Sequence, residues 1–149
     1  MTTQLSDFLP YLLFQAAELT GRDFQKLYQD RYGMLRTEWR VLFHLGQTGD
    51  QTAKQICERA SLHKTKVSRA VKALEQKRFL SRATLENDRR QEVLSLTKKG
   101  ASVLAELTVM AADYDETFEK SLGAETLKTL VANLNILIST YQEPNKTVK

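Results

Sequence analysis

The chain has 149 residues, a mass of 17.0 kDa, a net charge of +4 and an apolar content of 42%, which is typical of one soluble globular domain and excludes an enzyme with a separate cofactor domain. Its single cysteine, Cys57, excludes an internal disulfide and favours a cytoplasmic location. No stretch approaches the roughly 20 apolar residues that span a bilayer, and no basic residue precedes the apolar run at residues 8–14, so we expect neither a membrane segment nor a signal peptide.

The first part of the chain is predicted to be helical, because the sequence has only two prolines and six glycines. Apolar residues at helical spacing predict a first helix over about residues 6–32, ended by Gly33. A second helix is predicted over about residues 37–45, with Thr37 as a possible N-cap, and residues 46–50 are predicted to form a turn.

The next two helices are predicted to lie close together in the sequence. Thr52 and Gln55 match a capping box, in which each side chain binds the backbone of the other residue, so a short third helix should end near Arg59. After a connection that contains Ser61, a fourth helix is predicted over about residues 63–77. This spacing is that of a helix-turn-helix.

A β-hairpin should follow the fourth helix. Short β-compatible runs at residues 80–85 and 92–96 flank the polar segment 86–91, which is predicted to be the charged tip of the hairpin. A helix-turn-helix followed by a hairpin is a winged helix, and the predicted fold class is therefore mostly α with a small β-hairpin wing.

Two more helices complete the prediction. Thr97 should cap a long helix that ends near Leu122, and Gly123 separates it from a last helix over about residues 124–141. The apolar residues of the last helix recur at approximately heptad spacing. The polar residues 143–149 are expected to be a frayed tail.

Basic charge is concentrated in one third of the chain. Residues 52–99 carry 13 Lys and Arg and five Asp and Glu, whereas the remainder of the chain is net negative. This distribution is typical of a protein that binds a polyanion such as nucleic acid, although a solvated basic face would give the same totals.

The fourth helix has two different faces at 100° per residue. One is apolar and small, and the other carries Arg, Lys, Ser, Thr and Gln without an acidic residue. Arg can pair with guanine, Gln with adenine, and Ser or Thr with several base edges, while Lys on the flanks suits phosphates. The helix is therefore predicted to enter the major groove of double-stranded DNA, the alternative being a basic solvated helix. The candidate contacts are His63, Lys64, Thr65, Lys66, Ser68, Arg69, Lys72 and Gln76.

Four short motifs stand out in this order of elements: Lys64-Thr65-Lys66-Val67-Ser68-Arg69, Leu74-Glu75, the wing residues Asp88-Arg89-Arg90, and Leu94-Ser95-Leu96-Thr97-Lys98-Lys99-Gly100. Together with the order of elements, they resemble the MarR family of bacterial winged helix-turn-helix transcriptional regulators. The resemblance covers nearly the whole chain and is strongest from Thr52 to Gly100. Residues 1–149 would then be a single MarR-like domain.

The resemblance implies a homodimer. A winged-helix core of about residues 34–99 would bind DNA, and helices within about residues 5–32 and 100–142 would join the two copies. The two cores would lie on successive major grooves, about one helical turn apart, on a pseudo-palindromic operator. The resemblance implies repression as the expected outcome and release by a small ligand, for which an aromatic compound is one candidate class.

The wing motif Asp-x-Arg of the family falls on Asp88 and Arg90. We expect Arg90 to enter the minor groove, with Arg89 as the alternative or as a phosphate contact. Asp88 would orient the arginine or stabilise the hairpin. Arg82 completes the predicted DNA-binding residues of the wing.

Family members bind small aromatic anions between the dimer region and the winged helix. An aromatic wall with one arginine would suit a carboxylate, although aromatic residues at helical spacing are more often simple core. The candidate pocket residues are Tyr11, Phe14, Trp39, Arg40, Phe43 and His44.

Other functions have little support in the sequence. The two histidines, His44 and His63, do not pair with Cys57, so we expect no metal site, and Cys57 should be a small buried hydrophobe rather than a redox sensor. No phosphate-binding loop, dinucleotide-binding turn or clustered catalytic set occurs, so we expect no cofactor and no enzymatic activity. The remaining alternative is a winged-helix module that docks an acidic protein partner.

Overall fold

The computed structural model describes residues 4–142, and the predicted tail at residues 143–149 lies outside this range. The described residues form six α-helices and three β-strands after a short 3-10 helix at Leu5–Asp7. They divide into two compact units, one that ends at Leu104 and one that begins at Ala105. In chain order the elements are α1 (Leu9–Tyr32), α2 (Arg36–Thr48), β1 (Gln51–Thr52), α3 (Ala53–Ala60), α4 (Lys64–Gln76), β2 (Leu80–Leu85), β3 (Asp88–Leu96), α5 (Lys98–Leu122) and α6 (Ala124–Tyr141). Within residues 4–142 no helix is long and apolar enough to cross a membrane.

The first two helices begin at different residues from those predicted. Helix α1 begins at Leu9 rather than near Ser6, because Phe8 is extended after the 3-10 turn. Helix α2 begins at Arg36, so the prediction of Thr37 as its N-cap was wrong. The backbone N–H of Leu35 instead donates to the Glu38 carboxylate, which therefore satisfies a donor at the start of the helix.

The predicted capping box at the start of α3 is confirmed. The Gln55 backbone N–H donates to Thr52 Oγ1 at 3.2 Å, and the Thr52 N–H donates to Gln55 Oε1 at 2.9 Å. Three residues separate α3 from α4, and Ser61 ends α3 in the left-handed conformation with φ 52°. The helix-turn-helix is therefore present as predicted.

The wing belongs to a three-stranded antiparallel sheet in the order β1-β3-β2. Sequence patterning did not predict β1, whose two residues pair with Val93 and Leu94 of β3. Strand β3 begins at Asp88, so the turn contains only residues 86–87, and the prediction that residues 86–91 form the tip was wrong. Arg89 and Arg90 consequently lie on a strand.

The core of the first unit is closed around α4. Leu74 ends the buried face of this helix, and the Phe79 N–H donates to the Leu74 carbonyl at 2.9 Å while Arg78 adopts φ 62°. This pattern is a Schellman motif with a non-glycine residue in the left-handed position. Lys77 Nζ lies 3.0 Å from Oε1 of Glu38, whose side chain is only 4% exposed, and this ion pair joins α2 to the end of α4.

Thr97 joins the wing to α5. Its hydroxyl donates to the Arg78 carbonyl at 2.6 Å and accepts from the Gly100 N–H at 3.0 Å, which confirms the predicted cap. A Cβ on Gly100 would lie 1.8 Å from the carbonyl oxygen of Phe79. Position 100 therefore requires glycine, because the start of α5 packs closely against Phe79, the residue that precedes β2.

The second unit contains most of α5 and all of α6. Helix α6 has the predicted bounds, 124–141. Of its approximate heptad positions, Leu127, Leu134 and Leu137 are half-buried within the chain, and the other three are exposed. These are Leu130, Ile138 and Tyr141.

Candidate nucleic-acid interface

Helix α4 presents its polar face to solvent. Its apolar face is buried in the core of the first unit, as the helical periodicity predicts. Because the buried side is made of small and branched apolar side chains, the helix is held firmly while its outer face is free to contact a partner. The exposed residues are Lys64, Thr65, Lys66, Ser68, Arg69, Lys72 and Gln76, and the buried residues are Val67, Ala70, Val71 and Leu74.

His63 is the N-cap of α4. Its Nδ1 accepts a hydrogen bond from the Thr65 backbone N–H at 3.3 Å, so this ring satisfies a backbone donor at the helix start. The structure thus gives His63, predicted as a DNA contact, a capping role at the start of α4.

The predicted wing residues lie on the exposed hairpin. Asp88 Oδ1 accepts a hydrogen bond from the Arg90 backbone N–H at 3.0 Å, so this carboxylate stabilises the turn rather than orienting a guanidinium. Within residues 4–142, the side chains of Arg89 and Arg90 form no hydrogen bond or ion pair. Both arginines lie in the part of β3, residues 89–91, where the pairing with β2 is irregular.

Arg82 has a different environment from the other wing arginines. Its Nε donates to Glu75 Oε2 on α4, and its Nη1 donates to Glu92 Oε2 on β3 at 3.2 Å. Partial burial by itself would lower the pKa of Arg82, but the hydrogen bonds and charges of the two glutamates raise it above its usual value. The side chain predicted to contact DNA is thus bound to two carboxylates.

A cleft of about 590 Å³ lies between the wing and the helix-turn-helix. Charged and polar side chains of five elements, β1, α3, α4, β2 and β3, line it, while Val71 and Leu94 form part of its apolar lining. Cys57 also lines the cleft and is half-buried, rather than buried as predicted. Lys54, which was not predicted as a site residue from the sequence, joins Lys64 and Arg90 at this cleft.

The candidate pocket residues of α2 are part of an aromatic cluster. The Trp39 ring lies 5.3 Å from that of Phe43, 5.4 Å from that of Phe24 and 5.8 Å from that of Tyr28, measured between ring centroids. The Trp39 Nε1–H is buried and has no hydrogen-bond partner within residues 4–142. Phe24 and Tyr28 are thus buried core, while Trp39 and Phe43 are half-buried against them, and the cluster has one unsatisfied donor.

The four other candidate pocket residues have separate surroundings. Arg40 donates from Nη2 to the Ala60 carbonyl at 2.6 Å, which ties α2 to the end of α3. Burial, followed by the charges of Arg40 and Arg59, lowers the pKa of His44. On α1, Tyr11 accepts a hydrogen bond from Gln15 at 2.7 Å, and Phe14 is exposed.

The sequence did not predict the two glutamates, Glu75 and Glu92, that bind Arg82 of the wing. Glu75 contributed only to the family resemblance, and Glu92 only to a predicted strand. Their pairing with Arg82 depends on strand register and on the position of α4 beside β2, which no local pattern contains. Across residues 4–142, no cluster of three or more His, Cys, Asp and Glu side chains could hold a metal ion.

Comparisons with known proteins agree with this geometry. Residues 32–91 match the sequence model of the MarR family. Over 85 residues the chain is 28% identical to the uncharacterized HTH-type transcriptional regulator YwoH from Bacillus subtilis (strain 168), a match that covers 57% of this chain and 61% of that protein.

Two solved structures have the same fold. A mutant MarR from E. coli complexed with operator DNA has a TM-score of 0.76 at 20% identity, with 87% of this chain and 92% of that chain covered. Bordetella bronchiseptica BpsR, whose DNA binding is regulated by 6-hydroxynicotinic acid, has a TM-score of 0.78 at 19% identity, with 87% and 97% covered. Residues 32–91, which build the winged helix, are thus similar to the MarR family, and the two solved structures show that the chain has the same fold as MarR and BpsR.

Proposed function

We propose that the chain is a homodimeric, sequence-specific DNA-binding transcriptional regulator. The observation that carries the proposal is the outer face of α4, where seven exposed cationic or hydrogen-bonding side chains form a stripe. Glu75, the one acidic residue of α4, is bound by Arg82 and does not oppose a phosphate as a free charge. Such a face fits the major groove and its donor and acceptor pattern.

Within this proposal the contacts have separate roles. Arg69 and Gln76 have side chains that can read base edges, whereas Lys64, Lys66 and Lys72 suit phosphates. Arg90 enters the minor groove beside the half-site, and Arg89 contacts the backbone. Asp88 acts on the hairpin through its hydrogen bond to the Arg90 backbone, not on DNA.

Dimerisation is supported by apolar surface in each unit. Exposed large apolar side chains recur along α1, and a second set lies on α6 in the other unit. Contiguous exposed apolar surface of this kind is typical of protein–protein interfaces. We propose that residues 5–32 and 100–142 carry the interface. The exposed residues include Leu9, Leu12, Phe14 and Leu19 on α1 and Leu130, Val131, Ile136 and Ile138 on α6.

Release by a small ligand is the regulatory part of the proposal, and repression is the expected outcome of operator binding. The unsatisfied Trp39 Nε1–H supports it, because a carboxylate or carbonyl oxygen of a ligand would supply the missing acceptor. Because 6-hydroxynicotinic acid regulates the DNA binding of BpsR, which shares this fold, that compound is the first probe.

The test is a selection of sheared genomic DNA with the purified protein, beside Arg69→Ala and Arg90→Ala. We expect the wild type to enrich a two-fold symmetric site and both variants to lose this enrichment while remaining dimeric in analytical ultracentrifugation. Lys120→Ala is the matched control, because it removes an exposed cation outside the winged helix. Since residue 120 lies within the proposed interface range, its dimeric state is measured in the same way, and it should remain dimeric and retain enrichment. If the wild type, like both variants, enriches no DNA at low salt, the result would favour the alternative of a winged-helix module that docks an acidic protein partner.

Salt dependence gives a second readout of the same site. The affinity of the selected site should fall steeply with salt, with a slope of about −0.9 in log K against log salt for each phosphate contact. A slope near zero would contradict the cationic stripe as the binding surface.

A further inference from the structure

Arg82 connects three elements of the winged helix through two hydrogen bonds. It lies on β2, its Nε contacts Glu75 near the end of α4, and its Nη1 contacts Glu92 on β3. We call this group of three side chains the Arg82 clamp. The Arg82 side chain is 36% exposed, so water screens the charges and a single pair would contribute little, but one planar guanidinium here holds two carboxylates in a fixed arrangement.

The sheet register explains why Arg82 reaches the helix. Arg82 is the cross-strand partner of Leu94, which is buried, so both side chains point to the core side of the sheet. Glu92 and Arg90 line the same cleft as Arg82 and Leu94, although the pairing of β3 with β2 is irregular at residues 89–91. Glu92, the clamp residue on β3, therefore lies between the buried Leu94 and Arg90 along the strand.

The outer wing needs such a connection because its backbone has little other support. Strand β1 pairs with β3 only at Val93 and Leu94, so the hairpin beyond them has two strands. Residues 81–92 are all exposed. A two-stranded hairpin without a buried face is only marginally ordered in water.

We propose that Arg82 is a positioning residue that fixes the wing, and with it Arg90, relative to α4, and that it does not itself contact DNA. The inference rests on the proposed function for its consequence in DNA binding. Loss of the clamp leaves the charges of α4 in place but lets the wing sample several angles, so the dimer must order the wing when it binds.

The experiment compares Arg82→Gln, Glu92→Thr and Arg89→Gln in the intact protein. Hydrogen exchange of the wing amides is measured without DNA, and affinity for the selected operator is measured over a range of salt concentrations. Arg82→Gln and Glu92→Thr should both speed wing exchange and weaken operator binding about ten-fold, with the salt slope unchanged. Arg89→Gln is the matched control. Its wing exchange should not change, and its slope of log K against log salt should become shallower by about 0.9, because one phosphate contact is lost.

Glu92→Thr separates positioning from simple charge. It removes a negative charge that would face DNA, so an electrostatic effect alone would strengthen binding, whereas a positioning role requires weaker binding. Stronger binding by Glu92→Thr would overturn the proposal, as would a reduced salt slope with unchanged exchange in Arg82→Gln. If the wild type selects no DNA, the proposed function fails by itself, and unchanged wing exchange in Arg82→Gln would overturn the clamp independently.

Discussion

Gly100→Ala should destabilise the winged helix, whereas a glycine-to-alanine change in a helix ordinarily stabilises a protein. The added Cβ would lie 1.8 Å from the Phe79 carbonyl oxygen and 2.8 Å from its carbonyl carbon. These atoms are backbone, so no side-chain rotation can relieve the overlap. The same oxygen accepts a hydrogen bond from the Thr97 N–H at 3.1 Å, and moving it apart from Gly100 disturbs that bond as well.

The magnitude follows from three opposing contributions. Overpacking a close contact costs about 1–3 kcal/mol, and a disturbed backbone hydrogen bond adds about 1 kcal/mol. Replacing a helical glycine by alanine recovers at most about 1 kcal/mol. We therefore expect a net loss of about 1–3 kcal/mol in the free energy of unfolding, which corresponds to roughly 3–10 °C in Tm for a chain of this size.

The assay is urea unfolding followed by circular dichroism at a fixed protomer concentration, since dimerisation would make the midpoint depend on concentration. Gly21→Ala is the matched control, because it also lies in a helix but its added Cβ would meet only Arg36 Nη2 at 3.9 Å. This control should leave stability unchanged or raise it by up to about 1 kcal/mol. If the two variants were equally stable, the close approach of Gly100 to Phe79 would not exist in solution.

Two further predictions concern buried charge and pH. Lys77→Met should lower the free energy of unfolding in urea by about 3 kcal/mol, because the Glu38 carboxylate, whose side chain is 4% exposed, loses its cation. Adding Glu38→Gln should restore part of the loss. A loss below about 0.5 kcal/mol in Lys77→Met would contradict this ion pair. The pKa of His44 is lowered from 6.5 by burial and by Arg40 and Arg59, so the unfolded chain binds the proton more tightly and stability should fall as pH falls below about 6.5 toward the folded pKa. His44→Gln should show a smaller change in urea midpoint between about pH 5.5 and about pH 7.5, and an unchanged difference would exclude His44 as its source.

The helix-turn-helix could be predicted because its signals are local. The capping box of Thr52 and Gln55 depends on residues three apart, and the two faces of α4 depend on a period of 3.6 residues. The bounds of α6 follow from the same periodicity and from Gly123. Each of these features depends on residues within one or two helical turns of one another, so the sequence alone is enough to predict it.

The wing and its connections depended on contacts between distant residues. Strand β1 has two residues and no alternation of its own, and it exists only because Val93 and Leu94 offer a free edge. Arg82 looked like a DNA contact because its charge is visible in the sequence, whereas its partners Glu75 and Glu92 are brought to it by register and by packing of α4.

Gly100 shows the same division between local and tertiary causes. The sequence shows a glycine in the first turn of a predicted helix, which by propensity alone is a small loss of stability. Only the folded chain brings the Phe79 carbonyl oxygen to within 1.8 Å of the position that a Cβ would occupy. The sequence by itself thus determined which segments form helices and which face of α4 is polar, because those depend on near neighbours. The tertiary structure decided which charges are bound within the molecule and which remain available to a partner, because strand pairing and helix packing join residues whose separation along the chain carries no signal.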